Sequence, residues 1–347
     1  MIFTDKEGGF LAMSAYPIDI VVLWVDGSDP AWRAERAQYR PELGTDSSDA
    51  RYREWGLFHY WFRRIELYAP WVRTVHLVTW GHLPPWLNTS HPKLHIVNHK
   101  DYIPAEYLPT FNANTIELNI HRIPGLAEHF IYFNDDMYLN SPTRPEDFFV
   151  EGLPVDTAVL HNVTISDTVS FMPYLALNCL GIINENFSKK EVMMGAKEKW
   201  FSPKYGKLAL HNLYLLPGVN FPGFRNFHAC APFLKSTLEE VWARYPEILD
   251  ATCRNRFRSR ADVNQYVFRY WQLAKGQFVP GKPHFAYLTI GEDDASAVEA
   301  ALNNPHFKEV CVNDDPSGLN FAEEQLRFRE IFDRQHPTPC SFEKQES

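Results

Sequence analysis

The sequence predicts an α/β protein, with a mostly parallel sheet covered by helices and a helical C-terminal half packed on it. Short apolar, β-branched runs recur along the N-terminal part of the chain, with helical periodicity between them, and two such runs end in acidic turns. Strands that alternate with helices favour a parallel sheet buried on both faces. Ligands of such sheets bind beyond the carboxyl ends of the strands.

Residues 1–16 read as a flexible lead-in. Ile18 to Val25 is a buried strand, cut off by the turn residues Asp26-Gly27-Ser28-Asp29-Pro30. A polar loop follows at 41–50. Leu57, Trp61, Ile65 and Tyr68 then fall at helical spacing, with Arg63 and Arg64 on other faces, and Pro70 stops that helix. Val72 to Thr79 and Leu94 to Val97 are strands, and Thr115 to Arg122 is a short helix. Phe130 to Phe133 is a strand that runs straight into Asn134-Asp135-Asp136.

In the second half, residues 188–206 are lysine-rich and read as exposed. Ser236 with Glu239, and Thr237 with Glu240, fit a capping box that opens a helix. Ala261 to Lys275 is amphipathic, with Gly276 as its stop. Strands at 286–290 and 308–312 flank a helix at 295–303, which Glu292-Asp293-Asp294 cap. A last helix, Phe321 to Asp333, offers Leu326, Phe328 and Phe332 for packing. The simplest organisation is one catalytic domain, 17–347: an α/β part at 17–155, a variable insert at 156–225 and a C-terminal part at 226–347.

Composition narrows the function. A net charge of -9 argues against a nucleic-acid binder. Five scattered cysteines give neither a disulfide framework nor a zinc motif, and fit reduced thiols in a cytoplasmic protein. No apolar run approaches the length of a membrane span. A phosphate loop of the GxxxxGK[ST] type is absent, which weakens a kinase reading.

Several residues carry chemical potential. Asp135 and Asp136 after an apolar strand read either as a turn with a helix cap or as oxygen ligands for a hard cation. Asn313-Asp314-Asp315 is a second strand-to-acidic turn of the same kind. Arg254, Arg256, Arg258 and Arg260 make a local positive field in an acidic chain, which is either a solvated helix end or a phosphate grip. His228 is either a packing residue or a base for a sugar hydroxyl.

These pieces occur in a recognisable order. Ile18 to Pro30 resembles the opening signature of the Stealth family, which includes bacterial capsule phosphotransferases and the catalytic subunit of the lysosomal-enzyme N-acetylglucosamine-1-phosphotransferase. Arg51 to Arg53, Arg64 to Trp71, Pro85 to Asn88, Leu108 to Asn112, Ile116-Glu117, His121 to Leu126 and Phe130 to Met137 resemble its second block. His228 to Phe233 with Arg256 to Ser259 and Asp262 resemble the third, and Asn313 to Asp315 with the tail Pro339 to Glu343 the fourth. Leu23, Thr110 and Ala113 depart from the family pattern.

The resemblance implies a nucleotide-sugar transferase fold of the GT-A-like type. It implies transfer of hexose 1-phosphate from a UDP-sugar donor to a saccharide acceptor, with release of UMP. The alternative is a conventional metal-dependent glycosyltransferase that releases UDP. On this reading Asp135, Asp136, Asn313 and Asp314 bind Mg²⁺ or Mn²⁺, and Arg256 and Arg258 grip phosphate, oriented by Asp262. His228 takes the acceptor proton, Asp26 and Asp29 line the nucleotide or sugar edge, and Asn112, Glu117 and Arg122 support the same cleft. The setting implied is cytoplasmic, peripheral to membrane-bound polysaccharide machinery.

Overall fold

A computed structural model describes residues 15–39, 52–167, 170–290, 295–314 and 321–345. The lead-in, the 41–50 loop, Glu292-Asp293-Asp294 and Asp315 lie wholly or largely outside the described residues.

The strands are β1 (Ile18–Leu23), β2 (Val75–Thr79), β3 (Leu94–Asn98), β4 (His129–Asn134), β5 (Met137–Leu139), β6 (Phe149–Val150), β7 (Leu153–Asp156), β8 (Ala231–Leu234), β9 (Val279–Pro280), β10 (Phe285–Ile290) and β11 (Glu309–Asp314). The central sheet has the order β3-β2-β1-β4-β8. Its first four strands are parallel, and β8 closes the edge antiparallel to β4. Small sheets of order β10-β11-β5 and β6-β7-β9 flank it.

The side-chain period of two sorts the central strands between two cores. Val21, Val78, Phe130 and Tyr132 face one side, where the helices Met172–Asn186, Lys235–Arg244 and Tyr266–Ala274 pack. Ile20, Val22, Leu77, Ile131 and Phe133 face the other, under the helices Phe58–Tyr68 and Phe321–Gln335. The predicted sheet, with helices on both faces and a largely helical second half, is the architecture observed.

Several local expectations are corrected below. Arg63 and Arg64, expected on other faces of their helix, are buried because other segments close over them. Arg63 makes a bidentate pair with Glu343 of the tail at 2.7 Å, and Arg64 donates to the Leu139 carbonyl at 2.9 Å. No capping box forms at Ser236. The helix starts at Lys235 without a side-chain cap, and the Ser236 hydroxyl donates to Glu128 instead. The lysine-rich stretch is only partly exposed, since Lys189, Trp200 and Tyr205 are buried. Leu326 faces solvent, while Phe328, Ile331 and Phe332 do the packing. The helix predicted from Ala261 begins only at Tyr266, because a buried carboxylate holds the preceding residues in a loop.

Candidate active site

β1 and β4 end side by side, with Leu23 opposite Asn134. The acidic turn after β4 therefore opens at the carboxyl edge of the sheet, where parallel sheets bind ligands. A cavity of about 1010 Å³ occupies this edge and is lined by Asp135, Asp136, Glu117, His228, Arg258 and Asn313 among others. These residues come from five separate stretches of sequence, and the fold brings them together.

The cavity has an acidic side. Burial, with Asp136 and Glu54 nearby, pushes the Asp135 carboxyl up to about 8. Burial and the charge of Asp26 also raise Glu54. Asp136 Oδ2 lies 3.3 Å from His228 Nε2 and 3.5 Å from Cys311 Sγ. One ligand atom from each of Asp136, His228 and Cys311 falls within 4.8 Å of the others. Asp136 Oδ1 is buried with no hydrogen-bond partner. Mutually repelling carboxylates and an unanswered buried oxygen both suit a divalent cation, so the residues present fit one. Burial alone would lower the His228 pKa, but the bond to Asp136 and the charge of Glu117 hold it above its ordinary value.

Across the cavity, the Tyr132 hydroxyl lies 2.8 Å from Glu117 Oε1 and 2.6 Å from Asn134 Oδ1. Glu117 is buried, which raises its pKa, while Tyr132 and the charge of Arg258 oppose the shift. Arg258 rides on the loop between the helices Pro246–Cys253 and Tyr266–Ala274. Asp262, fully buried, holds that loop. Its Oδ2 accepts from Asn112 Nδ2 at 2.9 Å, Asn114 Nδ2 at 3.0 Å and Ser259 N at 2.9 Å, and its Oδ1 accepts from Asn255 Nδ2 at 2.7 Å.

Other residues singled out in the sequence sit elsewhere. Asp26 accepts from Ser28 N at 2.8 Å and closes its own turn, and Asp29 caps the next helix through Trp32 N at 2.8 Å. Asn112 is the cap of the helix Ala113–Leu118 and is fully buried, as its bonds to Asp262 require. Arg122 is exposed and stacks on Trp242, at 4.9 Å from the ring centroid, away from the cavity. Arg256 donates to the Pro109 carbonyl at 2.5 Å and lies over Tyr39, so of the two arginines only Arg258 faces the cavity. Asn313 lines the cavity, and Asp314 ends β11 opposite Ile290.

Sequence reasoning missed Glu54, Cys311 and the pair Arg269–Asp156. Arg269 binds Asp156 at 2.7 Å and Asn226 Oδ1 at 2.8 Å, and thereby ties β7 to the segment that leads to His228. Cys311 was findable, since it stands two residues before Asn313 in an apolar strand. Glu54 carried no local signal, because only the tertiary fold sets it beside Asp135.

Comparison with known proteins gives consistent matches. Stealth protein conserved region 1 matches residues 16–44, conserved region 2 residues 51–155, and conserved region 3 residues 227–271. The chain is 40% identical over 336 residues to the capsular polysaccharide phosphotransferase WcwK of Streptococcus pneumoniae, covering 94% of this chain and 99% of the relative. It is 40% identical over 332 residues to the receptor polysaccharide phosphotransferase WefC of Streptococcus gordonii, covering 94% and 98%. It is 39% identical over 341 residues to the exopolysaccharide phosphotransferase cps2G of Lactiplantibacillus plantarum, covering 97% and 99%. Among solved structures, the galactosyltransferase LgtC with donor and acceptor sugar analogs aligns at a TM-score of 0.38 and 10% identity, covering 93% of this chain and 98% of that one.

Proposed function

The chain belongs to the Stealth family, and from that premise we propose that it transfers hexose 1-phosphate from a UDP-sugar to a saccharide hydroxyl in cell-surface polysaccharide synthesis. The acceptor oxygen attacks the sugar-bearing phosphorus, the bond to the bridging oxygen breaks, and UMP leaves. One observation carries this reading: Asp135, Asp136, His228, Glu117 and Arg258 line a single cavity at the carboxyl edge of the sheet.

Phosphoryl transfer asks for positioning and charge neutralisation more than for covalent chemistry. Asp135 and Asp136 would hold Mg²⁺ or Mn²⁺, with Asn313 on the same cavity and Asp314 next to it in sequence, and such an ion would supply charge neutralisation for a diphosphate. Arg258 adds a fixed positive charge for the transferred phosphoryl group, held by the loop that Asp262 anchors. His228 accepts the hydroxyl proton at Nε2. Glu117, bonded to Tyr132 and near Arg258, places that arginine over the cavity.

Incubation with a panel of UDP-hexoses, Mg²⁺ and a glycan acceptor tests the proposal. The expected products are UMP and a new phosphodiester resonance in the ³¹P spectrum. Release of UDP, with no phosphodiester, would replace this reading by attack at the anomeric carbon.

A further inference from the structure

The helix Ala209–Leu215 is apolar on both sides: Ala209 and Leu215 pack on the core, and a second apolar set faces out. Surface helices of soluble proteins turn an apolar stripe inward and polar residues outward. Between Ala209 and Leu215 the inward side also carries Asn212, fully buried, whose amide donates to the carbonyls of Ala158 at 2.7 Å and Trp200 at 2.5 Å and accepts from Leu160 N at 2.6 Å. The outward face carries Leu210, Leu213 and Tyr214, at 62%, 57% and 81% exposure, and Val219 just beyond is 87% exposed. Buried Lys189 fixes the end of the helix through the Leu215 carbonyl at 2.6 Å, so the apolar face is held in place.

Charge identifies what covers it. Residues 189–219 carry six lysines against two glutamates, in a chain whose net charge is -9. Lys190, Lys197, Lys204 and Lys207 are exposed. Apolar side chains flanked by lysines suit the interface of an anionic bilayer. The four apolar side chains offer roughly 500 Å², short of the about 800 Å² per partner of a stable protein interface. The patch also borders the cleft. His211, on the same helix, stacks against His161 with ring centroids 6.1 Å apart, and His161 lines the cavity.

We propose that the Leu210–Val219 face, with its flanking lysines, docks the enzyme on an anionic lipid surface and sets the mouth of the cleft against it. None of the described helices is long and apolar enough to cross a membrane, so this contact is peripheral.

Co-sedimentation with vesicles tests it, using phosphatidylcholine alone and with about 30% phosphatidylglycerol. The full chain should pellet with the anionic vesicles, less so as salt rises, and stay largely in solution with the neutral ones. Leu213→Ser/Tyr214→Ser/Val219→Ser and, separately, Lys204→Glu/Lys207→Glu should each lower the partition coefficient about tenfold. Both variants should leave turnover of a water-soluble acceptor unchanged. The proposal is overturned if the wild type ignores anionic vesicles or if both variants pellet as it does. It is equally overturned if sedimentation velocity shows self-association through this face without vesicle binding. Should the apolar variant misfold, the lysine variant decides alone. Vesicle binding needs no substrate, so failure of the proposed reaction leaves this result readable.

Discussion

Replacing Asp262 with Asn tests how the active-site loop is held. The carboxylate is fully buried and accepts four hydrogen bonds, from Asn112, Asn114, Asn255 and Ser259. Asn keeps the shape but removes the charge and turns one acceptor into a donor. Bonds to a charged group are worth about 1.5–3 kcal/mol and neutral ones about 0.5–1.5, so each of the four weakens by about 1 kcal/mol. The total loss is about 4 kcal/mol. For a chain of 347 residues the unfolding entropy converts this into a melting shift of about 5 °C. Two of the donors, Asn112 and Asn114, cap and begin the helix that carries Glu117, and Ser259 adjoins Arg258, so kcat/KM should fall about 10–100-fold with both side chains intact. Calorimetry and steady-state kinetics on the purified variant read both effects. A melting shift below about 1 °C together with wild-type kcat/KM would refute the idea that this buried carboxylate positions the loop.

Further outcomes are expected. His228→Ala should lower kcat by about 10²–10⁴ without changing the melting midpoint; an unchanged rate removes the imidazole from the mechanism. Asp136→Asn should raise the dissociation constant for Mn²⁺, titrated by electron paramagnetic resonance, about tenfold or more, and chelation should abolish turnover. Burial pushes His99 and His121 down to about 3, so both stay neutral in the fold while the unfolded chain protonates them below 6.5. The unfolded state then binds more protons, and stability drops as pH falls from 6.5 toward 3, by up to about 1.4 kcal/mol per pH unit for each histidine. Urea denaturation at neutral and mildly acidic pH reads this, and an equal slope in a His99→Gln/His121→Gln variant would refute the assignment.

Glu54, Arg256 and Arg122 show where local reading stops. Arg256 and Arg258 are two residues apart and equally basic, and no sequence rule separates them. The loop imposed by Asp262 sends one guanidinium to the Pro109 carbonyl and leaves the other on the cavity. Arg122 lies in a family-like stretch, yet it ends a short 3₁₀ turn, Ile120–Arg122, that carries it to Trp242. Glu54 precedes the helix Phe58–Tyr68 without any strand or turn signal, and its raised pKa comes from burial at the cavity and from the charge of Asp26.

The sheet, its helical cover and the acidic turn at the end of β4 were all legible in the residues of the chain. Those follow from hydrophobic period and turn chemistry, which act over a few residues. The order of its motifs also determined the family. Packing alone makes Asp136, His228 and Cys311 face one another, turns Asp262 into a scaffold carboxylate, and leaves Leu210, Leu213 and Tyr214 in solvent. Such choices depend on which groups the packed chain desolvates together, and residues far apart in sequence carry no local trace of that.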